Sequence, residues 1–152
     1  GLFPADSNSA IGDHSAIGGG SRNIASGGNA TVPGGSDNTA LGNYCFAAGR
    51  RAKADHHGTF VWADSTDADF ASTGDNQFLI RASGGVGIRT TSPTAELDVN
   101  GATGYDQLRL RTSYTPISSA DANGNVGDVA WDENYVYIKT SGGWKRSALS
   151  TF

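Results

Sequence analysis

The sequence predicts an all-β chain organised around a stacked coil of short strands, and three observations predict it. Glycine recurs across residues 8–49 at Gly12, Gly19, Gly27, Gly34, Gly42 and Gly49, at intervals of 7, 8, 7, 8 and 7 residues. Two positions before each glycine stands an apolar residue: Ala10, Ile17, Ala25, Val32, Ala40 and Ala47. The last third of the chain reads as strand and turn throughout, with alternating runs between Asn, Asp and Gly.

The repeat is a pair of half-turns, 15 residues in all, written almost entirely in Gly, Ala, Ser, Thr and Asn. So short a period, with one inward apolar residue per half, marks a stacked β-coil and not a globular core. Each half-turn holds one strand of three or four residues, and glycine is expected to take the positive φ of the corner. Asn8, Asn23 and Asn38 recur in alternate half-turns, where asparagine tolerates the same geometry and bonds the adjacent backbone. Small Ala at the inward site keeps the coil narrow. A disordered Gly/Ser linker would have no reason to hold apolar residues at a fixed phase.

The chain has 152 residues, enough for one ordinary domain or two small ones. Only 37% of it is apolar, much of that Ala, and glycine alone accounts for 22 residues. A monomer would bury too few large side chains to offset chain entropy, and identical copies around an axis are the simplest partners. A net charge of −4 argues against nucleic acid as a ligand. No stretch of 18 apolar residues offers a membrane span. The single Cys45 excludes an intrachain disulfide. The opening GLFPADSNS is neither a Met start nor a signal peptide, and the expectation is a segment of a longer protein.

The stretch AIGDHSAIGGGSRNIASGGNATVPGGSDNTALGNY resembles the head repeats of trimeric autotransporter adhesins, in which A-x-G and V-x-G-G units alternate. The following YCFAAGRRAKADHHGTFVWAD resembles the segment that closes such arrays in secreted and phage-borne fibre proteins. The resemblance covers about the first 65 residues. It implies a left-handed β-roll, three chains side by side, and a surface-exposed fibre. After Asp64 the chain departs from the adhesin pattern, with neither a long heptad stalk nor a membrane-anchor barrel.

Residues 1–9 read as a lead-in and residues 10–58 as the coil and its closure. The basic run Arg50, Arg51, Lys53, with His56 and His57, suggests an anionic-ligand or metal site. The simpler reading is charge pairing with Asp55, Asp64 or a neighbouring chain. Adjacent His56 and His57 point to opposite faces of a strand and cannot chelate one metal within a chain. Residues 59–62 (TFVW) read as a strand leaving the roll. Residues 64–76 form a polar loop with four Asp whose spacing misses the calcium-loop pattern, so a solvated loop with Phe70 tucked beneath it is expected. Residues 77–82 (QFLIRA) and 95–99 (AELDV) read as strands.

GGVGIRTTSPTAELDVNG, residues 84–101, resembles a common segment of bacteriophage tail fibres, except that Arg89 stands where glycine is usual. Residues 107–112 (QLRLRT) alternate as a strand. Residues 128–131, 135–139 and 144–149 predict a three-stranded meander. The block GDVAWDENYVYIKTSGGWKRSALSTF is similar to the terminal module of phage tail fibres. If Val136 and Ile138 are inside, Tyr135 and Tyr137 lie outward and, with Trp144, form an aromatic platform for sugar rings. The alternative is that these aromatics pack between chains.

No nucleophile elbow, H-E-x-x-H motif or Cys/His ligand pair is present, and no pair of carboxylates stands out for glycan hydrolysis. The sequence therefore predicts an all-β homotrimeric fibre: a β-roll over residues 1–62, a connecting β/loop region over 63–104 and a C-terminal β tip over 105–152. The expected function is non-enzymatic attachment to a cell surface through a glycan or protein receptor. A carbohydrate-binding module in its own right, or a glycan depolymerase fragment, stands as the alternative. Tyr135, Tyr137, Trp144, Lys145 and Arg146 are the candidate ligand residues. Ala10, Ile17, Ala25, Val32, Ala40, Ala47, Phe60 and Trp62 are the candidate trimer-packing residues. No cofactor, metal, nucleic acid or membrane insertion is expected, and the place is the outside of a virion tail, a phage-like particle or a bacterium.

Overall fold

The computed structural model describes residues 6–101 and 108–150. All elements among them are strands, and they divide into two units, with the boundary at Asn100.

The first unit is a β-solenoid. Its strands are β1 (Ser9–Ala10), β2 (Ala16–Ile17), β3 (Ile24–Ala25), β4 (Thr31–Val32), β5 (Gly35–Ser36), β6 (Thr39–Ala40), β7 (Phe46–Arg50), β8 (Ala52–Ala54), β9 (Phe60–Ala63), β10 (Phe70–Ala71) and β11 (Phe78–Arg81). Successive coils stack them into two parallel sheets, β1-β3-β6-β8-β10 and β2-β4-β7-β9-β11. Ser9, Ile24, Thr39, Lys53 and Ala71 stand in register, so the coils are fifteen, fifteen, fourteen and then eighteen residues long. The stack thus runs past residue 62 to Arg81. Phe60–Ala63 does not leave the roll but lies between β7 and β11.

Alternation along each strand sends one row inward. Ala25, Ala40 and Ala54 fill one wall, and Val32, Ala47, Val61 and Ala63 the other, all fully buried. Ile17, Phe70 and Leu79 pack against them. A core this narrow leaves a row of backbone groups to satisfy, and Asn23 and Asn38, both fully buried, satisfy them. Asn8 Oδ1 accepts from Asn23 N at 3.0 Å, Asn23 Oδ1 from Asn38 N at 3.0 Å, and Asn38 Oδ1 from Ala52 N at 2.9 Å. The asparagines expected at corners are therefore an internal ladder.

The corners are shared between glycine and other residues: Gly49 takes φ +95° as expected, and Gly20 and Gly35, beside Gly19 and Gly34, take +83° and +101°. Positive φ occurs at His14, Asn29 and Tyr44, two residues after Gly12, Gly27 and Gly42, and again at Arg22, Asp37 and Arg51. Gly27 is glycine for want of space: a Cβ there would overlap the carbonyl oxygen of Gly42 on the next coil.

The eighteen-residue coil holds residues 64–69, whose acidic side chains answer the basic run. Arg51 Nε meets Asp69 at 2.8 Å, Arg50 Nη2 meets Asp67 at 2.9 Å and Lys53 Nζ bonds Asp37 O at 2.6 Å. Asp64 is not a partner of that run. It pairs with Arg81 at 3.1 Å, and the Ser83 backbone N–H holds its carboxyl below the ordinary carboxylate range. Phe70 is half-buried in β10, so the stretch read as a solvated loop includes a rung. Beyond the roll, β12 (Val86–Ile88) pairs in parallel with β13 (Leu97–Val99). Arg89, at the position where glycine was anticipated, sits at φ +60°.

The second unit is a meander of β14 (Val129–Trp131), β15 (Tyr135–Thr140) and β16 (Gly143–Ala148), all antiparallel. Leu108 and Leu110 belong to no strand among the described residues, and both are exposed. Gln107 lies outside the described residues.

Candidate functional site

Two surfaces emerge. The first is the outer face of the roll's second sheet. Side chains that alternate with the inward row there are Ala16, Thr31, Phe46, Phe60 and Phe78 in one line, and Ala48, Trp62 and Ile80 in the next. Phe46 and Phe60 stack at 4.6 Å between ring centroids, and Phe60 and Phe78 at 4.5 Å. In the single chain Phe78 is 68% and Trp62 39% exposed. Soluble monomers rarely leave so contiguous an apolar patch in water.

The residues expected to pack a trimer thus separate by role. Ala25, Val32, Ala40 and Ala47 are fully enclosed in their own chain and unavailable to a second one. Ile17 is half-buried and Ala10 exposed on the first coil. Phe60 and Trp62 do face outward. Phe78 and Ile80 lie eighteen residues beyond Phe60 and Trp62, so a fifteen-residue period does not align them, whereas Phe46 keeps the period but stands at an outward position taken up by Ala16 and Thr31 on the earlier coils.

The second surface lies on the C-terminal meander. Register places Tyr137 and Arg146, and Lys139 and Trp144, as cross-strand pairs on one face. Val129, Trp131, Val136 and Ile138 take the other face. Tyr137 is 4% and Trp144 6% exposed, and together with Ala130 they form the core of this unit. The reading with Val136 and Ile138 inside is therefore reversed; Ile138 is exposed. An aromatic platform of Tyr137 and Trp144 is lost with it, since both rings are covered. Tyr114 packs on Trp144 with centroids 6.0 Å apart, and Trp144 Nε1 donates to Asn123 O at 3.0 Å. Tyr135 is half-buried beneath Arg146, whose guanidinium carbon lies 4.2 Å from the ring centroid. Lys145 is exposed on the opposite face of β16.

Two aspartates that the sequence reading did not single out hold this unit together. Asp121, itself buried, accepts from Tyr114 Oη at 2.6 Å, Ile117 N at 3.0 Å and Asn123 N at 3.0 Å. Asp132 accepts from Tyr137 Oη at 2.6 Å, Thr115 Oγ1 at 2.9 Å and the Asn134 and Tyr135 amides. The tyrosine hydroxyl is the chief cause in each case that brings the carboxyl down to about 2. The same bonds raise Tyr114 and Tyr137. The Asn123-Gly124 and Asp132–Asn134 turns were visible in the sequence, but not which aromatic hydroxyls would fold back onto the aspartates beside them.

Between residues 116–119 and β16 the meander face opens into a cleft of about 320 Å³. Tyr137 and Trp144 form its floor and Arg146 its charged rim. Among the described residues no group of three or more His, Cys, Asp or Glu side chains is placed to hold a metal ion, and no helix is long and apolar enough to cross a membrane. No protein-family model, curated protein or solved structure matches this chain.

Proposed function

We propose that this chain is a non-enzymatic attachment module of a homotrimeric fibre, with a left-handed roll as shaft or head and the meander as tip, displayed outside a virion tail, a phage-like particle or a bacterium. The observation that carries the reading is the outer face of β7, β9 and β11. The roll's interior is already filled by small residues, yet Phe46, Phe60, Phe78, Trp62 and Ile80 form a continuous apolar surface outside it. A second and third copy around an axis cover such a face in every chain at once, and the fibre then presents three tips to one surface.

The test is attachment to intact cells by the fluorescently labelled chain, beside a Phe60→Ser/Phe78→Ser variant made to separate the copies. Multivalent attachment predicts cell binding at least tenfold stronger for the parent chain. Equal binding by a separated variant, or release of soluble oligosaccharide from the cells by the parent, contradicts the proposal.

A further inference from the structure

The geometry points to the tip cleft as a binding site for a saccharide that carries a carboxylate, with Arg146 as the residue that takes the acid group. This rests on the attachment reading and names the class of receptor. Arg146 is exposed, and its guanidinium is laid over the Tyr135 ring. Among the described residues it forms no ion pair. A guanidinium fixed by a ring, but not consumed by a carboxylate, is a preorganised two-pronged donor, and a carboxylate is the planar acceptor that matches it.

The carboxylate bonded to Tyr137, the cross-strand partner of Arg146, is Asp132, and it is saturated. Four donors converge on it, one of them the hydroxyl of Tyr137, whose ring lines the cleft. Its charge is thus met before a ligand arrives. Lys139 is occupied as well, held over the Trp144 ring and bonded to Asp121 O. Arg146 is the charged group left to define what the cleft accepts.

The rest of the lining suits a sugar ring better than a peptide side chain or a fatty chain. Ser118 and Ser119 bring two exposed hydroxyls to one wall. Pro116 and Ile117 form the lip, and Ile117 is 90% exposed, an aliphatic surface for the C–H face of a ring. The backbone of that wall is fixed: Trp144 N donates to Ser119 O at 2.8 Å and Ile117 N to Asp121. About 320 Å³ stands at the lower end of small-ligand sites, room for one or two rings.

The experiment is an array of carboxylate-bearing oligosaccharides (uronates and sialylated sugars), each beside its methyl ester and its neutral counterpart, probed with the full chain. Hits are followed by calorimetry with Arg146→Gln, Arg146→Lys and Lys145→Gln, and every variant is checked for unchanged near-ultraviolet circular dichroism. At least one acid is expected to bind, with a loss of about tenfold or more on esterification and on Arg146→Gln. Arg146→Lys is expected to recover only part of the loss, and Lys145→Gln, on the opposite face, to change affinity less than twofold. Binding of no acidic sugar overturns the inference, as does affinity indifferent to the ester or to Arg146→Gln. Light scattering on the same samples separates the two readings. A trimer that ignores acidic sugars ends this inference alone, whereas a monomer that binds them supports it and ends the fibre reading.

Discussion

Replacing Asn38 by Ala tests why the roll carries asparagine inside. Asn38 is fully buried; its Oδ1 accepts from Ala52 N at 2.9 Å, and its Nδ2 reaches Gly49 O at 2.8 Å and Asn23 Oδ1 at 3.0 Å. Alanine leaves the Ala52 amide and the Gly49 carbonyl without these partners in a site too narrow for water to enter freely. Each orphaned buried group costs about 1–3 kcal/mol, so a loss of about 3–4 kcal/mol is expected. The same change at Asn8 removes an acceptor for Asn23 N, but on the exposed first coil, where water substitutes, and there less than about 1 kcal/mol is expected. For a unit of this size each kcal/mol is worth about 4–8 °C, so Asn38→Ala lowers Tm by about 12–32 °C and Asn8→Ala by a few degrees. Both are read by thermal circular dichroism at one protein concentration. Equal small shifts for the two variants would refute the ladder argument, and an Asn38→Asp variant as stable as the parent would refute it too.

Three further outcomes follow from particular residues. Arg89→Gly relieves a left-handed backbone at a side chain that makes no bond among the described residues, and denaturant unfolding should show a gain of about 1 kcal/mol. Gly27→Ala places a Cβ against the carbonyl of the next coil and should abolish cooperative folding of the roll, whereas Gly74→Ala, with space around it, should leave it folded. Asp121 and Asp132 have folded-state pKa values of about 2 against an ordinary 3.8, so their stabilisation is complete above pH 4 and is lost as pH falls towards 2. The near-ultraviolet signal of the C-terminal meander should vanish over that window, and Asp132→Asn should flatten the dependence.

The coil was legible because its physics is local. One inward residue per half-turn fixes a phase, and glycine at a seven- or eight-residue interval leaves few other readings. Handing every corner to glycine holds only in part, at Gly49 and beside Gly19 and Gly34, because periodic sequence does not say why a glycine is needed. Gly27 and Gly42 make room for backbone, while the corner falls on His14, Asn29 and Tyr44. The end of the roll was missed for a similar reason: an eighteen-residue coil breaks the period, and its inserted acidic loop looks like a linker until Arg50 and Arg51 are seen to meet it. In the C-terminal meander, Tyr135 to Ile138 alternates two equally apolar faces. Which face is covered was decided by Tyr114, Asp121 and Asp132, residues outside the strand that no pattern within it reveals.

Absolute mass in solution, measured by light scattering over a hundredfold dilution series, tests the central claim most directly. The account predicts three times 15.6 kDa at every concentration, and a fall towards a single chain when Phe60 and Phe78 are both changed to Ser. A folded monomer of the parent chain, with the aromatic face open to water, would contradict it.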